Sequence, residues 1–159
     1  MFSKILWATD GSAAADHALP WVKGLATERD ATVVVCHSVV AMIGPRAGGV
    51  PLDADEDDVE VKLRVQMNDL AAAGVDAKLR LVGGDTYHGA AHDIVRVADE
   101  EGVDLIVAGT RGHTAIGGLL LGSVTQRLLQ LAPCPVLVIP TRAANAAAME
   151  DTEAEQTVA

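Results

Sequence analysis

The sequence predicts an α/β protein built on an open, five-stranded parallel sheet, and three features indicate it. Apolar segments rich in β-branched residues, such as Thr32–Val35, are typical of strands that are buried on both faces. Segments in which apolar residues recur at helical spacing lie between them. Glycines and prolines mark the turns. Because the two kinds of segment alternate strictly, we expect crossover helices on both faces of the sheet, with right-handed connections.

Five predicted strands and four predicted helices follow one another along the chain. The strands are Ile5–Ala8, Ala31–Val39, Val75–Val82, Leu105–Ala108 and Val136–Ile139. Helices are predicted after Ser12, over Asp53–Ala73, before Gly102 and from Ser123. The third strand alternates between apolar and polar residues, which predicts a half-exposed strand at an edge of the sheet.

The helices carry boundary signals and apolar faces. Ser12 is a suitable N-cap, and Pro20 predicts either a kink or the true start of the first helix. Acidic residues gather at the beginning of the second helix, as the helix dipole favours, and Gly74 predicts its end. The residues predicted to face the core are Ala15, Ala18, Leu19, Val22, Leu25 and Ala26 in the first helix, Val59, Leu63, Met67, Leu70 and Ala71 in the second, and Ala91, Ile94, Val95 and Ala98 in the third.

Composition and charge exclude several classes of protein. The net charge is −10, and the excess acids lie in Asp53–Glu60 and Glu150–Glu155. Since binding to nucleic acid needs a basic face, that role is disfavoured. No apolar run reaches the 18 or so residues that cross a bilayer, so we expect no membrane span. Met1–Lys4 leads directly into a strand without a signal-peptide pattern, and we expect a cytoplasmic location.

The chain is expected to hold one domain over residues 1–140. Residues 141–159 are rich in alanine and acids, and we expect this tail to be disordered. Segment 42–52 contains three glycines and two prolines, which predicts a loop. Cys36 and Cys134 lie in separate apolar runs without metal or redox spacing, so both are expected to be buried, reduced thiols.

The stretch Leu105–Ser123 carries the main functional signal. A buried strand opens at Gly109 into a segment with five glycines and closes on a predicted helix that begins at Ser123. Backbone N–H groups that glycines leave accessible, together with the positive end of a helix dipole, form a site for an anion. This stretch therefore predicts a nucleotide phosphate site.

Two common phosphate motifs do not fit. Gly117–Ser123 approaches the P-loop pattern, but the lysine that would contact the β- and γ-phosphates is absent. The dinucleotide fingerprint is not found after the first strand, where Asp10-Gly11-Ser12 stands instead.

The glycine spacing resembles another motif. Gly109-x2-Gly112-x9-Gly122-Ser123 is similar to the nucleotide-binding motif of the universal stress protein family, in its ATP-binding branch. Asp10, Cys36-His37 and Ala132–Val136 also resemble the family pattern, and the resemblance extends over roughly Ser3–Pro140. It implies the adenine nucleotide alpha hydrolase-like fold, with strand order 3-2-1-4-5. The ligand crevice would then lie between the first and fourth strands, where the strand order reverses.

The resemblance also implies a set of site residues and a ligand. The ligand is ATP, or ADP or AMP, with Mg²⁺ as an accompanying ion. Residues on the adenosine side are Ala8, Thr9 and Asp10; the backbone of Ser38 contacts adenine; Gly109, Arg111 and Gly112 surround the ribose and phosphates; and Gly122, Ser123, Val124 and Thr125 hold the phosphate chain. Physical arguments agree, since Ser123 and Thr125 offer hydroxyl donors at a helix start and Arg111 supplies a cation.

Some of these residues have structural explanations as well. Asp10 is suited to end a strand by an Asx turn. His88 and His92 are four residues apart on one helix, but a third metal ligand is not evident, which favours a solvated surface. His37 and His113 are expected to line the site rather than to act as acid or base.

The favoured function is an ATP-binding, nucleotide-sensing regulatory dimer of the stress response. Its last strand, Val136–Ile139, would pair with a second copy, as the resemblance implies. A regulated protein would read the nucleotide state. The alternatives are a nucleotide-independent interaction or chaperone-like protein, and an enzyme that cleaves nucleotide or transfers an adenylyl group. No residue is assigned a catalytic role, and slow ATP hydrolysis is compatible with the sequence.

Overall fold

The computed structural model describes residues 2–39, 53–83, 89–110 and 121–140. Strands and helices alternate through these residues as predicted, except that two helices follow the first strand. The strands are β1 (Lys4–Ala8), β2 (Thr32–Val39), β3 (Ala77–Gly83), β4 (Leu105–Gly109) and β5 (Val136–Ile139). The helices are α1 (Ala13–Asp16), α2 (Leu19–Arg29), α3 (Asp53–Ala72), α4 (Gly89–Glu101) and α5 (Ser123–Leu131). The predicted loop 42–52 and tail 141–159 lie outside the described residues.

All five strands are parallel, in the order β3-β2-β1-β4-β5. The strand order that the family resemblance implies is therefore confirmed. β1 pairs with β2 on one side and with β4 on the other, with Ala8 level with Cys36 and with Ala108. From β1 the chain passes to β2 and β3 on one side of the sheet, and it then returns to form β4 and β5 on the other side. The strand order therefore reverses between β1 and β4. Their carboxyl ends open a crevice there.

Two apolar layers cover the sheet. Alternate residues of β1 face opposite layers, because successive side chains of a strand point to opposite faces. Ile5 and Trp7 pack with α2 and α3, whereas Leu6 and Ala8 pack with α4 and α5. Trp7 is fully buried at the centre of its layer. The composition, rich in alanine and valine, permits this close packing of helices on the sheet.

The helix predicted from Ser12 is two helices. Ser12 caps α1, since its Oγ accepts a hydrogen bond from Ala15 N–H at 3.2 Å. Pro20 lies in the first turn of α2, where its missing N–H has no intrahelical partner to lose. Of the two outcomes that Pro20 allows, the structure shows the true start of a helix.

The predicted apolar faces are largely confirmed, with corrections in α3 and α4. Leu63 and Leu70 are fully buried, but Ala71 is exposed, so its predicted place in the core is wrong. The buried position beside them belongs to Gln66 instead, because it lies one turn from both leucines. In α4, Val97 is buried although it was not among the predicted core residues. It lies three residues after Ile94, so both side chains share one face of the helix.

The two edges of the sheet differ in charge. β3 is the predicted half-exposed edge strand, and its Lys78 and Arg80 pair with Glu101 of α4. The hydrogen bond from Lys78 holds the pKa of Glu101 below its usual range, although burial acts in the opposite direction. Charged side chains on an edge strand discourage pairing with another sheet. β5, at the opposite edge, consists only of valine, leucine and isoleucine.

The two thiols are not equally buried. Burial raises the pKa of Cys36 in β2 to about 12, which keeps this thiol protonated. Cys134 is only half-buried, so the expectation that both are buried is wrong for this residue. It precedes β5 at the edge of the sheet, where fewer neighbours cover it. No helix among the described residues is long and apolar enough to cross a membrane.

Asp104 joins the amino ends of β1 and β4. Its carboxylate accepts hydrogen bonds from Ser3 N–H at 2.8 Å, from Ser3 Oγ at 2.7 Å and from Lys4 N–H at 3.1 Å. Burial opposes the charged form, but these hydrogen bonds outweigh it, and the pKa of Asp104 lies below its usual value. The charged carboxylate therefore stabilises the fold.

We expect Asp104→Asn to lower the free energy of unfolding at neutral pH by about 1 kcal/mol, because charge-assisted hydrogen bonds are lost. A folded-state pKa below the unfolded value gives stability that is present above the unfolded pKa and is lost as pH falls through the folded pKa. The stability difference between the two proteins should therefore shrink below pH 3.8, the usual value. Urea unfolding across pH measures it. Asp76→Asn, at an exposed aspartate, is the control, and a pH-independent difference would contradict the assignment.

Candidate functional site

The predicted site residues within the described ranges lie at one end of the sheet. Ala8, Thr9 and Asp10 end β1, Ser38 lies near the end of β2 and Gly109 ends β4. Gly122 to Thr125 form the start of α5. Arg111, Gly112 and His113 lie outside the described residues. The parallel sheet thus brings residues that are up to 117 positions apart in the chain to the crevice where the strand order reverses.

Asp10 forms a tight turn after β1. Its Oδ1 accepts hydrogen bonds from Ser12 N–H at 3.1 Å and from Ser12 Oγ at 2.6 Å. Thr9 Oγ1 accepts from Gly11 N–H at 3.1 Å. This is the Asx turn that the sequence allowed as a structural explanation of Asp10. The turn holds the carboxylate in one orientation at the mouth of the crevice.

Helix α3 packs directly on this turn. Gly11 has a φ of +74°, and a Cβ at this position would come within 2.6 Å of Val59 Cγ1. Lys62 Nζ donates to Gly11 O at 2.6 Å and lies 2.5 Å from Asp16 Oδ2. Gln66 Nε2 donates to Asp16 Oδ1 at 2.9 Å. These contacts, none of them predicted, place a lysine beside the candidate site.

The sequence holds one weak signal for these contacts. Val59, Lys62 and Gln66 are three and four residues apart, so they share one face of α3. Two polar residues on the inward side of an amphipathic helix indicate a polar partner within the fold. Nothing in the local sequence identifies that partner.

His37 holds the end of β1. Its ring is buried, and Nδ1 lies 3.0 Å from Thr9 O. Because a carbonyl oxygen only accepts, Nδ1 carries the proton. Thr9 N–H also donates to Cys36 O at 3.0 Å. Two hydrogen bonds thus hold Thr9 against β2, immediately before Asp10.

The side chain of Ser38 is directed to α4. Its Oγ donates to Asp93 Oδ2 at 3.0 Å, and Asp93 also contacts Arg96 at 3.3 Å. Asp93 is buried, so this bond fixes the Ser38 side chain on the α4 side of the sheet. The arrangement is compatible with a ligand contact through the Ser38 backbone, and Asp93 is a further residue that was not predicted.

The start of α5 is held against the end of β4. Gly122 N–H donates to Thr110 O at 2.7 Å, and Thr125 Oγ1 donates to Gly109 O at 2.8 Å. Thr125 is only 5% exposed. The Thr125 hydroxyl therefore donates its proton within the protein and positions the helix. This differs from the expectation that the hydroxyl donates to a phosphate. The backbone N–H of Thr125 lies in the first turn of α5.

The first backbone N–H groups of α5 are donors of the kind that bind an anion. The first backbone bond within the helix is Gln126 N–H to Gly122 O at 2.9 Å. The N–H groups of Ser123, Val124 and Thr125 precede it, and the N-cap, Gly122, has no side chain to accept them. Together with the helix dipole, these donors suit a phosphate group.

A protein metal centre is not formed by the described residues, which contain no cluster of three potential ligands. His92 lies half-buried in α4, and His88 lies outside the described residues.

We expect Thr125→Val to lower the free energy of unfolding by about 1–3 kcal/mol, because a buried hydrogen bond to Gly109 O is lost without a change in side-chain shape. Urea unfolding measures the difference. Thr125→Ser keeps the hydroxyl and should recover most of the loss. If Thr125→Val and Thr125→Ser were equally stable, the hydroxyl would have no positioning role.

Comparison with known proteins identifies the family. The model of the universal stress protein family matches residues 1–140. Universal stress protein YxiE of Bacillus subtilis is 35% identical over 151 residues, which covers 87% of this chain and 99% of that protein. The solved structure of MJ0577, a universal stress protein of Methanocaldococcus jannaschii, superposes with a TM-score of 0.72 at 29% identity, covering 88% of this chain and 96% of that one.

A second solved structure, a universal stress protein in complex with cAMP, superposes with a TM-score of 0.64 at 25% identity, and the match covers 88% of this chain and 98% of that one. The family match, the curated relatives and the strand order agree with one another. The chain belongs to the universal stress protein family.

Proposed function

We propose that this protein binds an adenine nucleotide, with ATP as the main ligand, and that it acts as a nucleotide-sensing regulator. The observation that carries the proposal is the start of α5, where the N–H groups of Ser123, Val124 and Thr125 precede the first bond within the helix and the N-cap residue, Gly122, offers them no side chain. For comparison, α1 is capped by its own Ser12. A phosphate group would supply the acceptor that α5 lacks.

Each element at the crevice has a proposed part. Ala8, Thr9 and Asp10 contact the adenosine side, and the backbone of Ser38 contacts adenine. Gly109, Arg111 and Gly112 surround the ribose and phosphates. Gly122 begins the phosphate-binding segment, and the N–H groups of Ser123, Val124 and Thr125 contact the phosphate chain, with the Ser123 hydroxyl as a further donor. The relative solved with cAMP supports an adenine nucleotide as the ligand class.

We infer that the site binds nucleotide rather than hydrolysing it rapidly. The stretch Gly117–Ser123 lacks the P-loop lysine that would stabilise charge on the β- and γ-phosphates. The described site also holds its Thr125 proton in a structural hydrogen bond. Occupancy would shift the conformer population at the junction of β4 and α5, and a regulated protein would read that shift.

We expect ATP to bind with saturable heat in calorimetry and Gly122→Val to weaken binding at least about tenfold, because a branched side chain at the N-cap would crowd the phosphates. The control is Gly24→Val, since a Cβ at Gly24 meets no atom within 4 Å. Equal affinity of the Gly122 and Gly24 variants would contradict the site. Steady hydrolysis above about 1 s⁻¹, an ordinary enzyme rate, would favour an enzyme instead.

We also propose that β5 pairs with β5 of a second copy in a two-fold dimer. Ile106 N–H donates to Pro135 O, and Thr110 N–H donates to Ile139 O. In a parallel ladder, alternate residues bond to the same neighbour, so the backbone groups of Val136 and Val138 point away from β4. This edge has no charged side chain, in contrast to β3.

We expect light scattering to show a dimer at micromolar concentration and Val138→Pro to yield a monomer. Proline removes an N–H that points to the free edge while it leaves the bonds to β4 in place. Val61→Thr, at an exposed valine on α3, is the control and should stay dimeric. A dimeric Val138→Pro variant would place the interface elsewhere.

A further inference from the structure

The turn after β1 has a fixed inner shape. Thr9 Oγ1 accepts from Gly11 N–H, and Asp10 Oδ1 accepts from Ser12 N–H and Oγ. All of these bonds join residues two positions apart. They determine the form of the turn, but they do not determine where the turn lies relative to the rest of the fold.

The position of the turn is set by α3. Val59 packs against Gly11 so closely that a Cβ on that glycine would overlap its side chain. This contact prevents the turn from moving toward α3. Lys62 opposes motion away from α3, since its Nζ donates to Gly11 O at 2.6 Å. One turn of α3 therefore restrains the backbone next to Asp10 in both directions.

Lys62 is anchored at its other side by Asp16. The ammonium lies 2.5 Å from Asp16 Oδ2, and the second oxygen of that carboxylate accepts from Gln66 Nε2 at 2.9 Å. An ammonium has three donors and can serve the carbonyl and the carboxylate together. The pair also neutralises a carboxylate in the helix that directly follows the Asp10 turn, where an anionic ligand would be repelled.

We propose that Lys62 is a positioning residue of the nucleotide site: it ties α3 to the Asp10 turn through Gly11 O and Asp16, and it thereby holds Asp10 in its ligand-binding orientation. This inference rests on the proposed nucleotide-binding function. Lys62 acts through the turn, so its effect on affinity depends on Asp10.

The first measurement needs no ligand. In hydrogen exchange of the full chain, Lys62→Met should speed exchange of the Gly11 and Ser12 amides by about tenfold, because the turn loses its restraint. Amides of α4 should be unchanged. Arg64→Met is the matched control, since it removes the same charge from an exposed residue of α3 that pairs with Glu60, one turn earlier in the same helix. If the Gly11 and Ser12 amides exchanged at equal rates in the Lys62→Met and unaltered proteins, the proposal that Lys62 restrains the turn would be overturned.

The second measurement is the affinity for ATP by calorimetry. Lys62→Met should weaken binding about tenfold, whereas Lys62→Arg, which keeps a multiple donor, and Arg64→Met should stay within about twofold of the unaltered protein. Equal losses in Lys62→Met and Arg64→Met would show a general charge effect and overturn the proposal. Asp16→Asn, a milder change to the same contact, should give an intermediate loss.

A double-mutant cycle separates positioning from general stability. In an Asp10→Asn background, Lys62→Met should cost little further affinity, because both changes act on the same turn. Fully additive losses would overturn the proposal. If the unaltered protein bound no adenine nucleotide, the proposed function would fail. The exchange measurement by itself would then decide whether Lys62 restrains the turn.

Discussion

The candidate site depends on the parallel pairing of β1 with both β2 and β4. A strand paired on both edges, whose two neighbours connect onward in opposite directions, leaves a crevice at its carboxyl end that no crossover helix covers. Ile5, Leu6 and Trp7 are fully buried, so this central pairing is shielded from solvent. Asp10 follows β1 and Gly109 ends β4, so both residues reach the crevice through the sheet itself.

Around this crevice, side chains from distant elements hold backbone in place. Lys62 of α3 contacts Gly11 O, and Thr125 of α5 contacts Gly109 O. His37 of β2 contacts Thr9 O. In each case a side chain binds the carbonyl oxygen of a predicted site residue or of the residue next to one. Such contacts keep amides and carboxylates in a defined arrangement before a ligand arrives, which reduces the entropy lost on binding.

The two edges of the sheet differ in their side-chain charge. At β3, Lys78 and Arg80 are held by acids of α4, and this charged edge resists the addition of another strand. At β5, the apolar edge presents the backbone groups of Val136 and Val138 without such protection. A dimer through β5 would remove this exposed edge and leave the crevice between β1 and β4 accessible.

The sequence by itself determined the elements, because each has a local signal. Apolar or alternating segments predicted every described strand, Pro20 indicated either a kink or a helix start, and the spacing of the glycines with Asp10 indicated the family and, through it, the strand order. The sequence could not determine the contacts of Lys62, Gln66, Thr125 or Asp93. Their partners lie 16 to 55 positions away, where spacing carries no information about contact. Only the tertiary structure, by packing α3, α4 and α5 on the sheet, decided which polar side chains hold the site.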